Sequence, residues 1–159
     1  MAGTLPASIP NVSPVYNYKI EIDTTPAGNA RTWAQVCAGF NNVAEALNEA
    51  VQQYFFLCGK GFAANYVTGM APAYTLTGVR VIGDTAQDYI FGFDVKFGTM
   101  AARETHMRLT RDPDGTPEVI SANVTLCNIT DIGGGTTDGS AVSVEIRLNG
   151  APVEGNDWA

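Results

Sequence analysis

The chain has 159 residues, of which 16 are acidic and 9 are basic, and its formal net charge is −7. A chain of this length buries roughly 70% of its unfolded surface, so residues 1–159 are expected to fold as one domain without metals or disulfides. The composition excludes two classes of partner. The sequence has no run of about 18 apolar residues to span a membrane, and it has no cluster of Lys and Arg to neutralise nucleic acid phosphates.

Residues 1–15 predict a flexible N-terminal arm, because Pro and Ser interrupt them and no periodicity is present. The arm lacks the basic and apolar segments of a signal peptide, so the protein is expected to be soluble and to be made and kept in the cytosol. Residues 16–23 then alternate apolar and polar side chains, which predicts a half-buried strand. After a turn, residues 32–38 predict a second strand that begins at Trp33.

Residues 41–61 fit two different structures. A possible N-cap at Asn42 precedes apolar residues at helical spacing, which predicts a helix over residues 43–53. However, the pattern has no clear stop and runs into the β-prone residues 54–57, which favours a long extended loop. The residues alone leave helix and loop as equal alternatives.

Residues 67–98 contain the strongest helix signal in the chain. Asp84 can accept hydrogen bonds from the first free amides of a helix, and Gln87 lies three residues later in the capping-box position. Apolar residues at helical spacing follow, up to a stop at Gly98: Ala86, Ile90, Phe93 and Phe97. We therefore expect one amphipathic helix over residues 85–97 that covers the apolar face of a sheet.

Three strands are predicted after this helix. Residues 103–110 alternate, with Thr105, Met107 and Leu109 on one face, and residues 118–130 form a long alternating segment. A Gly-rich loop at residues 131–141 leads to the clearest strand, at residues 142–148, which is expected to end at a turn over residues 149–150. The last eight residues fit either a short strand or a tail.

The residues predict no catalytic, cofactor or metal site. The only histidine, His106, lies between Glu104 and Arg108 on a polar strand face, which is typical of a solvated or salt-bridged surface group. The three cysteines are odd in number and form no CxxC pair, so we expect buried free thiols: Cys37, Cys58 and Cys127. Residues 112–117 lack the third ligand and the distal glutamate of a calcium loop.

The excess of acidic over basic side chains lies in the second half of the chain. Residues 1–83 hold four acidic and four basic side chains, whereas residues 84–159 hold twelve acidic and five basic ones. With no predicted active site, we expect function to lie in surfaces. Long loops and unpaired strand edges make the chain a candidate for assembly.

A series of motifs runs through most of the chain. Trp33-x-x-Val36 is followed by GFNNVAEALNE, YFFL, GKGF, VTG, TGVRVIGD, AQDYI and finally VEIRLNGAP. In this order the motifs resemble those of the major tail tube proteins of long-tailed, non-contractile bacteriophages. The resemblance covers residues 16–152, and its most specific part runs from residue 67 to residue 90. It implies a β-sandwich or barrel of antiparallel strands with one flanking helix near residues 85–97.

The resemblance also implies a function. Subunits of that family join strands into a β-barrel within hexameric rings, and the rings stack into a tube around the tape-measure protein. Genomic DNA later passes through without specific binding, and the tail terminator and distal tail proteins are further partners. The expected location is the tail of the virion, with assembly in the cytoplasm of the bacterial host.

The family also bears on particular segments. Its counterpart of residues 41–61 is chiefly an extended loop that reaches a neighbouring subunit, which favours the loop alternative, while the N-terminal arm and residues 131–141 are expected to make contacts between rings. Its channel wall is acidic, and Glu118 and Glu145 are candidates for channel-facing acids. Two alternatives remain: the inner tube of a contractile tail or secretion apparatus, and a monomeric β-sandwich binding module that uses Trp33 and Trp158.

Overall fold

The computed structural model describes residues 12–111 and 116–155. Two antiparallel sheets dominate these residues, one of seven strands and one of two. The strands are β1 (Tyr18–Asp23), β2 (Trp33–Gln35), β3 (Phe40–Ala46), β4 (Ala50–Tyr54), β5 (Ala64–Gly69), β6 (Ala73–Val79), β7 (Glu104–Arg111), β8 (Glu118–Thr130) and β9 (Ala141–Glu154). The helices are α1 (Thr85–Ile90) and α2 (Phe93–Lys96), with 3-10 turns at Val15–Asn17, Leu57–Gly59 and Met100–Arg103. The prediction of a mainly β fold is confirmed.

Three sequence predictions concern residues outside the described part of the chain. They are the first eleven residues of the N-terminal arm, the centre of the turn at residues 112–115, and Trp158.

The seven-stranded sheet has the order β2-β1-β7-β8-β9-β6-β3. It curls on itself, because residues from both ends of this order pack into one core, including Ile20 of β1 and Leu76 of β6. Within the described residues, β2 and β3 are the edge strands. The β4–β5 pair lies outside this sheet and connects β3 to β6.

The core follows the predicted alternation in the second half of the chain. Most apolar-face residues of β7, β8 and β9 are buried: Thr105, Met107, Leu109, Ala122, Val124, Leu126, Val142, Val144 and Ile146. Ile120 and Leu148, on the same faces, are only partly buried. Strand side chains alternate between faces with a period of two, so one apolar face per strand is enough to fill the interior. The two helices cover the open side of this core through Ala86, Ile90 and Val95.

Strand β1 differs from the prediction of a half-buried strand. Its first two predicted residues belong to a 3-10 turn, and the strand begins at Tyr18. Its polar residues Glu21 and Asp23 are buried together with the apolar Ile20 and Ile22. The polar face is covered because basic side chains of neighbouring elements pair with these two carboxylates.

The predicted single helix over residues 85–97 is wrong in its continuity. It is two short helices, because Gly92 between them has an extended backbone with ψ of 153°. This break changes which side chains of the second helix face the core. Val95 is buried, whereas Phe93 and Phe97 are 78% and 67% exposed.

Residues 41–61 match neither alternative in full: the helix over residues 43–53 is wrong, and most of the segment is extended but forms paired strands rather than a long loop. Val43 pairs with Leu76 of β6, and Val51 pairs with Val67 of β5, so the segment forms β3 and β4. The chain turns between the two strands at Asn48, which has a left-handed φ of 50°. Pairing with distant strands supplies main-chain hydrogen bonds that outweigh a weak local preference for helix.

Strand β9 continues past its predicted end at residues 149–150. Gly150 has a φ of 82°, and the pairing of β9 with β8 shifts between Asn123 and Ser121. The glycine therefore forms a bulge within a strand that runs on to Glu154. The C-terminal segment, which the sequence left open between strand and tail, is a strand as far as that residue.

Candidate assembly surfaces

The most exposed apolar surface belongs to residues 47–72, which we call the hairpin. Its strands β4 and β5 pair only with each other in the described part of the chain. Large apolar side chains cover it and are exposed: Leu47, Val51, Tyr54, Phe55, Phe56, Leu57, Phe62, Tyr66, Val67 and Met70. The Tyr54 ring lies 5.8 Å from Phe56 and 6.0 Å from Tyr66, measured between centroids. A two-stranded hairpin is marginally stable alone in water, so this surface needs a partner.

Two hydrogen bonds close the base of the hairpin. The Ala71 amide donates to the Leu47 carbonyl at 2.9 Å, and the Asn48 side-chain amide donates to the Ala71 carbonyl at 2.9 Å. The left-handed backbone of Asn48 suits an asparagine, which tolerates this conformation better than most residues. The hairpin is thus joined to the sheet at a narrow hinge.

The Gln87 side chain fixes the opposite end of β3 and β6. It is fully buried, and its Nε2 donates to the carbonyls of Ala38 at 2.8 Å and Val79 at 3.0 Å. Its Oε1 accepts from the amide of Val81 at 2.8 Å. These bonds turn the side chain away from the capping-box position, although the Asp84 carboxylate does accept from the Gln87 amide at 3.0 Å. The sequence pattern placed Gln87 at the helix start but gave no sign of these distant partners.

Close packing at this junction requires glycine. Gly39 has a φ of 79°, and a Cβ there would lie 2.3 Å from the Val79 carbonyl oxygen and 2.4 Å from the Gln87 Nε2. Beside it, Arg80 donates to the Asp88 carboxylate at 2.8 Å. The Arg80 bond lowers the pKa of Asp88.

Buried ion pairs occupy the polar side of β1 and β7. Arg108 pairs with Glu21 and lies 4.5 Å from the centre of the Trp33 ring. The Asp23 carboxylate accepts from the Thr25 amide at 2.9 Å and faces Nδ1 of His106 at 3.1 Å. Burial alone would raise the pKa of Asp23, but these hydrogen bonds lower it below its usual value. His106 is therefore part of a structural ion-pair cluster on this face.

Both candidate channel-facing acids have basic neighbours. Glu118 forms an ion pair with Arg111 at 3.2 Å, and both side chains are exposed. Glu145 accepts from Arg147 at 2.8 Å and from the Asn128 side chain at 2.6 Å. These two bonds lower the pKa of Glu145. In each pair the arginine neutralises part of the negative charge of the carboxylate.

An apolar groove lies where the two ends of the curled sheet approach each other. It is lined by Val15, Tyr18 and Ile20 from the β1 side and by Val43 and Tyr74 from the β3–β6 side. Burial and the neighbouring carboxylate of Glu45 raise the pKa of the Tyr74 phenol to about 12. The groove runs beside the edge strand β3, so it adds apolar surface to an edge that can pair with another strand.

The cysteines differ from the expectation of buried thiols. Cys37 and Cys58 are exposed and Cys127 is half-buried, because all three lie in connections or on the outer side of a strand rather than in the core. In residues 12–111 and 116–155, no group of three or more His, Cys, Asp or Glu side chains is arranged to hold a metal ion. Over the same residues, no helix has the length and apolar character to cross a membrane.

No protein-family model and no curated protein sequence matches the chain. Solved structures match its fold. A chain from the tail of an empty gene transfer agent particle, refined helically with C6 symmetry, gives a TM-score of 0.62 at 14% identity, covering 89% of this chain and 98% of that one. A chain from the native gene transfer agent virion gives 0.62 at 13% identity, covering 91% and 99%. The SPP1 tail tube gives 0.61 at 10% identity, covering 89% and 78%.

Each of the three matches covers about nine tenths of this chain. Sequence identities of 10–14% carry little information about individual residues, so the likeness concerns the arrangement of strands and helices. The sequence motifs implied a β-sandwich or barrel with one flanking helix, and the structure agrees in its antiparallel β architecture but divides the helix in two. The chain has the tail tube fold.

Proposed function

We propose that this chain is a structural subunit of a phage-type tail tube, in which copies assemble into stacked hexameric rings. The single observation that carries the proposal is the exposed hairpin on a tail tube fold. Ten large apolar side chains of the hairpin are exposed to solvent. An exposed apolar surface of this size is typical of a site of protein association. In this proposal the subunit is a structural protein rather than an enzyme.

Ring formation is supported by the sheet edges. Strands β2 and β3 each have one paired neighbour in the described residues, so each can accept a strand from another subunit. A head-to-tail contact between two different edges closes into a ring when the rotation between copies is a fraction of a full turn. The C6 symmetry of the gene transfer agent tail supports six copies.

The polar side of the large sheet is the proposed channel wall. Glu145 lies on the polar side of β9, whereas Glu118 lies at the start of β8 on the same strand face as Ile120 and Ala122. We keep both as proposed channel-facing acids, Glu145 from the wall itself and Glu118 from its margin. DNA passing along a wall of mixed charge with an acidic excess meets no basic cluster to hold it. The tape-measure protein, the tail terminator and the distal tail proteins are the further proposed partners, with assembly in the host cytoplasm and a final location in the virion tail.

The inner tube of a contractile tail or secretion apparatus would use the same fold and the same surfaces. A monomeric binding module is less well supported. Its tryptophan platform would need Trp33 to be available, and that ring is half-buried and stacked against Arg108.

Electron microscopy of the purified protein tests the proposal. We expect rings or tubes at high protein concentration and a monomer on dilution. Replacing Phe56 and Phe62 of the hairpin with Ser should abolish the tubes while the circular dichroism spectrum stays that of a folded β protein. The matched control is Ile82→Ser, since this side chain is 87% exposed but lies outside the hairpin. A wild-type sample that stays monomeric at every concentration would contradict the proposal.

A further inference from the structure

A second exposed apolar surface lies on the helical side of the molecule, where Phe93, Phe97 and Met100 form what we call the helix patch. The two Phe rings pack against each other with centroids 5.4 Å apart, and Met100 is 84% exposed. Their side chains contribute little to the core, since Val95 is the buried residue of α2. Three large apolar side chains this exposed on one short segment indicate a contact with another molecule.

The helix patch contains an unpaired negative charge. Asp94 lies one residue after Phe93 and three residues before Phe97, and its side chain is exposed. Neighbouring acids have basic partners: Asp88 pairs with Arg80, and Asp131 pairs with Lys96. Asp94 makes no ion pair with any residue in the described ranges. This exposed carboxylate follows Phe93 directly in the chain, so it is available to a cation from another molecule that covers the two rings.

The tip of the hairpin has the complementary character. Lys60 ends the 3-10 turn with a left-handed φ of 52°, and Leu57 and Phe62 beside it are almost fully exposed. Lys60 is the only basic residue of the hairpin, and it too makes no ion pair within the described part of the chain. The tip thus presents one cation between two apolar side chains.

We infer that the hairpin tip of one subunit docks on the helix patch of a neighbouring copy, with Lys60 beside Asp94. Leu57 and Phe62 then pack against the Phe93 and Phe97 rings. The Lys96 Nζ lies beside this contact, 5.2 Å from the centre of the Phe97 ring, and is paired with Asp131. Lys60 and Asp94 each gain a partner of opposite charge. The inference rests on the proposed function, because it names the surface that receives the hairpin in the tube.

The charges also determine the type of contact. Two hairpin tips that met each other would bring two Lys60 cations together, and two helix patches would bring together two Asp94 carboxylates. The complementary surfaces lie on different parts of one chain, so the contact is head-to-tail. Such a contact repeats from copy to copy, as a ring or a stack of rings requires.

Charge reversal tests the pairing. Lys60→Glu and Asp94→Lys should each raise the protein concentration needed for tube formation by about tenfold or more, because each places like charges together. The double variant should restore assembly to within about threefold of the wild type, since it restores the attraction. The matched control combines Asp94→Lys with Glu49→Lys, which changes the other charged residue of the hairpin and should give no recovery.

Zero-length carbodiimide cross-linking of wild-type tubes gives a direct readout. Mass spectrometry should identify an amide between Lys60 and Asp94 of different copies, and it should disappear in diluted monomer. Tubes that form normally but cross-link Lys60 to another carboxylate would overturn the docking site and leave the tube proposal intact. A cross-link that appears only after a second tail protein is added would mean that this protein covers the patch. Wild-type protein without tubes would overturn both proposals.

Discussion

Replacing Gln87 with Ala should destabilise the subunit strongly, although the residue lies near a helix start where substitutions are often mild. Its side chain is fully buried and satisfies the carbonyls of Ala38 and Val79 and the amide of Val81. Each buried group left without a partner costs about 1–3 kcal/mol. These three main-chain groups are only part-buried, so water can replace some of the lost bonds, and we expect a total loss of about 3–5 kcal/mol in the free energy of unfolding. For a chain of this size that loss corresponds to a fall in Tm of about 10 °C.

The assay is urea unfolding followed by tryptophan fluorescence, at a protein concentration low enough to keep the chain monomeric. Gln35→Ala is the matched control, since Gln35 is exposed at the edge of the sheet. Gln87→Glu adds a second test. Its carboxylate would face two carbonyl oxygens at neutral pH, so this variant should be as unstable as Gln87→Ala and should recover partly in acid, when the carboxyl is protonated and can donate. A loss below about 1 kcal/mol for Gln87→Ala, or an equal loss for the control, would refute the reasoning.

Three further predictions concern other parts of the fold. Glu145→Lys should leave tubes intact in electron micrographs but reduce genome delivery in an infectivity assay, whereas normal delivery would place Glu145 outside the channel. The pKa of Asp23 is lowered in the folded state, so its contribution to stability is present above its unfolded pKa and is lost as the pH falls through its folded pKa. Asp23→Asn should therefore lower the free energy of unfolding at pH 7 and flatten the acid side of a curve of that free energy against pH. An unchanged acid side would contradict this. Gly39→Ala should lower the free energy of unfolding in urea by about 2 kcal/mol or more, because its Cβ would meet main-chain and side-chain atoms. Gly61→Ala is the control, since Gly61 also has a positive φ but has open space around it, and it should cost about 1 kcal/mol. Equal losses would contradict the packing argument.

The strands of the second half could be predicted from the sequence because local pattern and tertiary environment agree there. The strand expected over residues 118–130 has those bounds in the structure. One face of β7 and of β9 is apolar and the other is polar, and burial follows that division. A period-two pattern depends only on neighbouring residues, so a single sequence is sufficient to reveal it.

The hairpin and the helices could not be predicted in the same way. Val43 and Val51 have helical spacing, but their partners Leu76 and Val67 lie 33 and 16 residues further along the chain. Phe93 continues the apolar spacing of α1, yet the extended backbone at Gly92 turns it towards solvent. The sequence cannot distinguish an apolar side chain that fills the core from one that is covered only after assembly.

The candidate site was partly visible in the sequence. The sequence of residues 54–57, three aromatic residues and a leucine, favours a β-strand. The exposure of these side chains, however, depends on the position of the hairpin outside the main sheet. The pairing of Glu145 with Arg147 can be predicted from the strand pattern, because the two residues are two positions apart on the same strand face. The pairing of Glu21 with Arg108 cannot, since it depends on β1 lying beside β7.

The narrow hinge at the base of the hairpin has a mechanical consequence for a tube. One chain segment on each side joins the hairpin to the sheet, and two hydrogen bonds among Leu47, Asn48 and Ala71 close its base. An extensive ladder of strands, by contrast, holds the sheet together. In a tube held by such hairpins, bending strain would concentrate at the hinges while each curled sheet keeps its shape. Asn48→Gly should then shorten the persistence length of tubes in micrographs without changing their diameter. Tubes of unchanged stiffness would show that the bending takes place elsewhere. The curvature of a long tail would thus depend on one left-handed residue in each subunit.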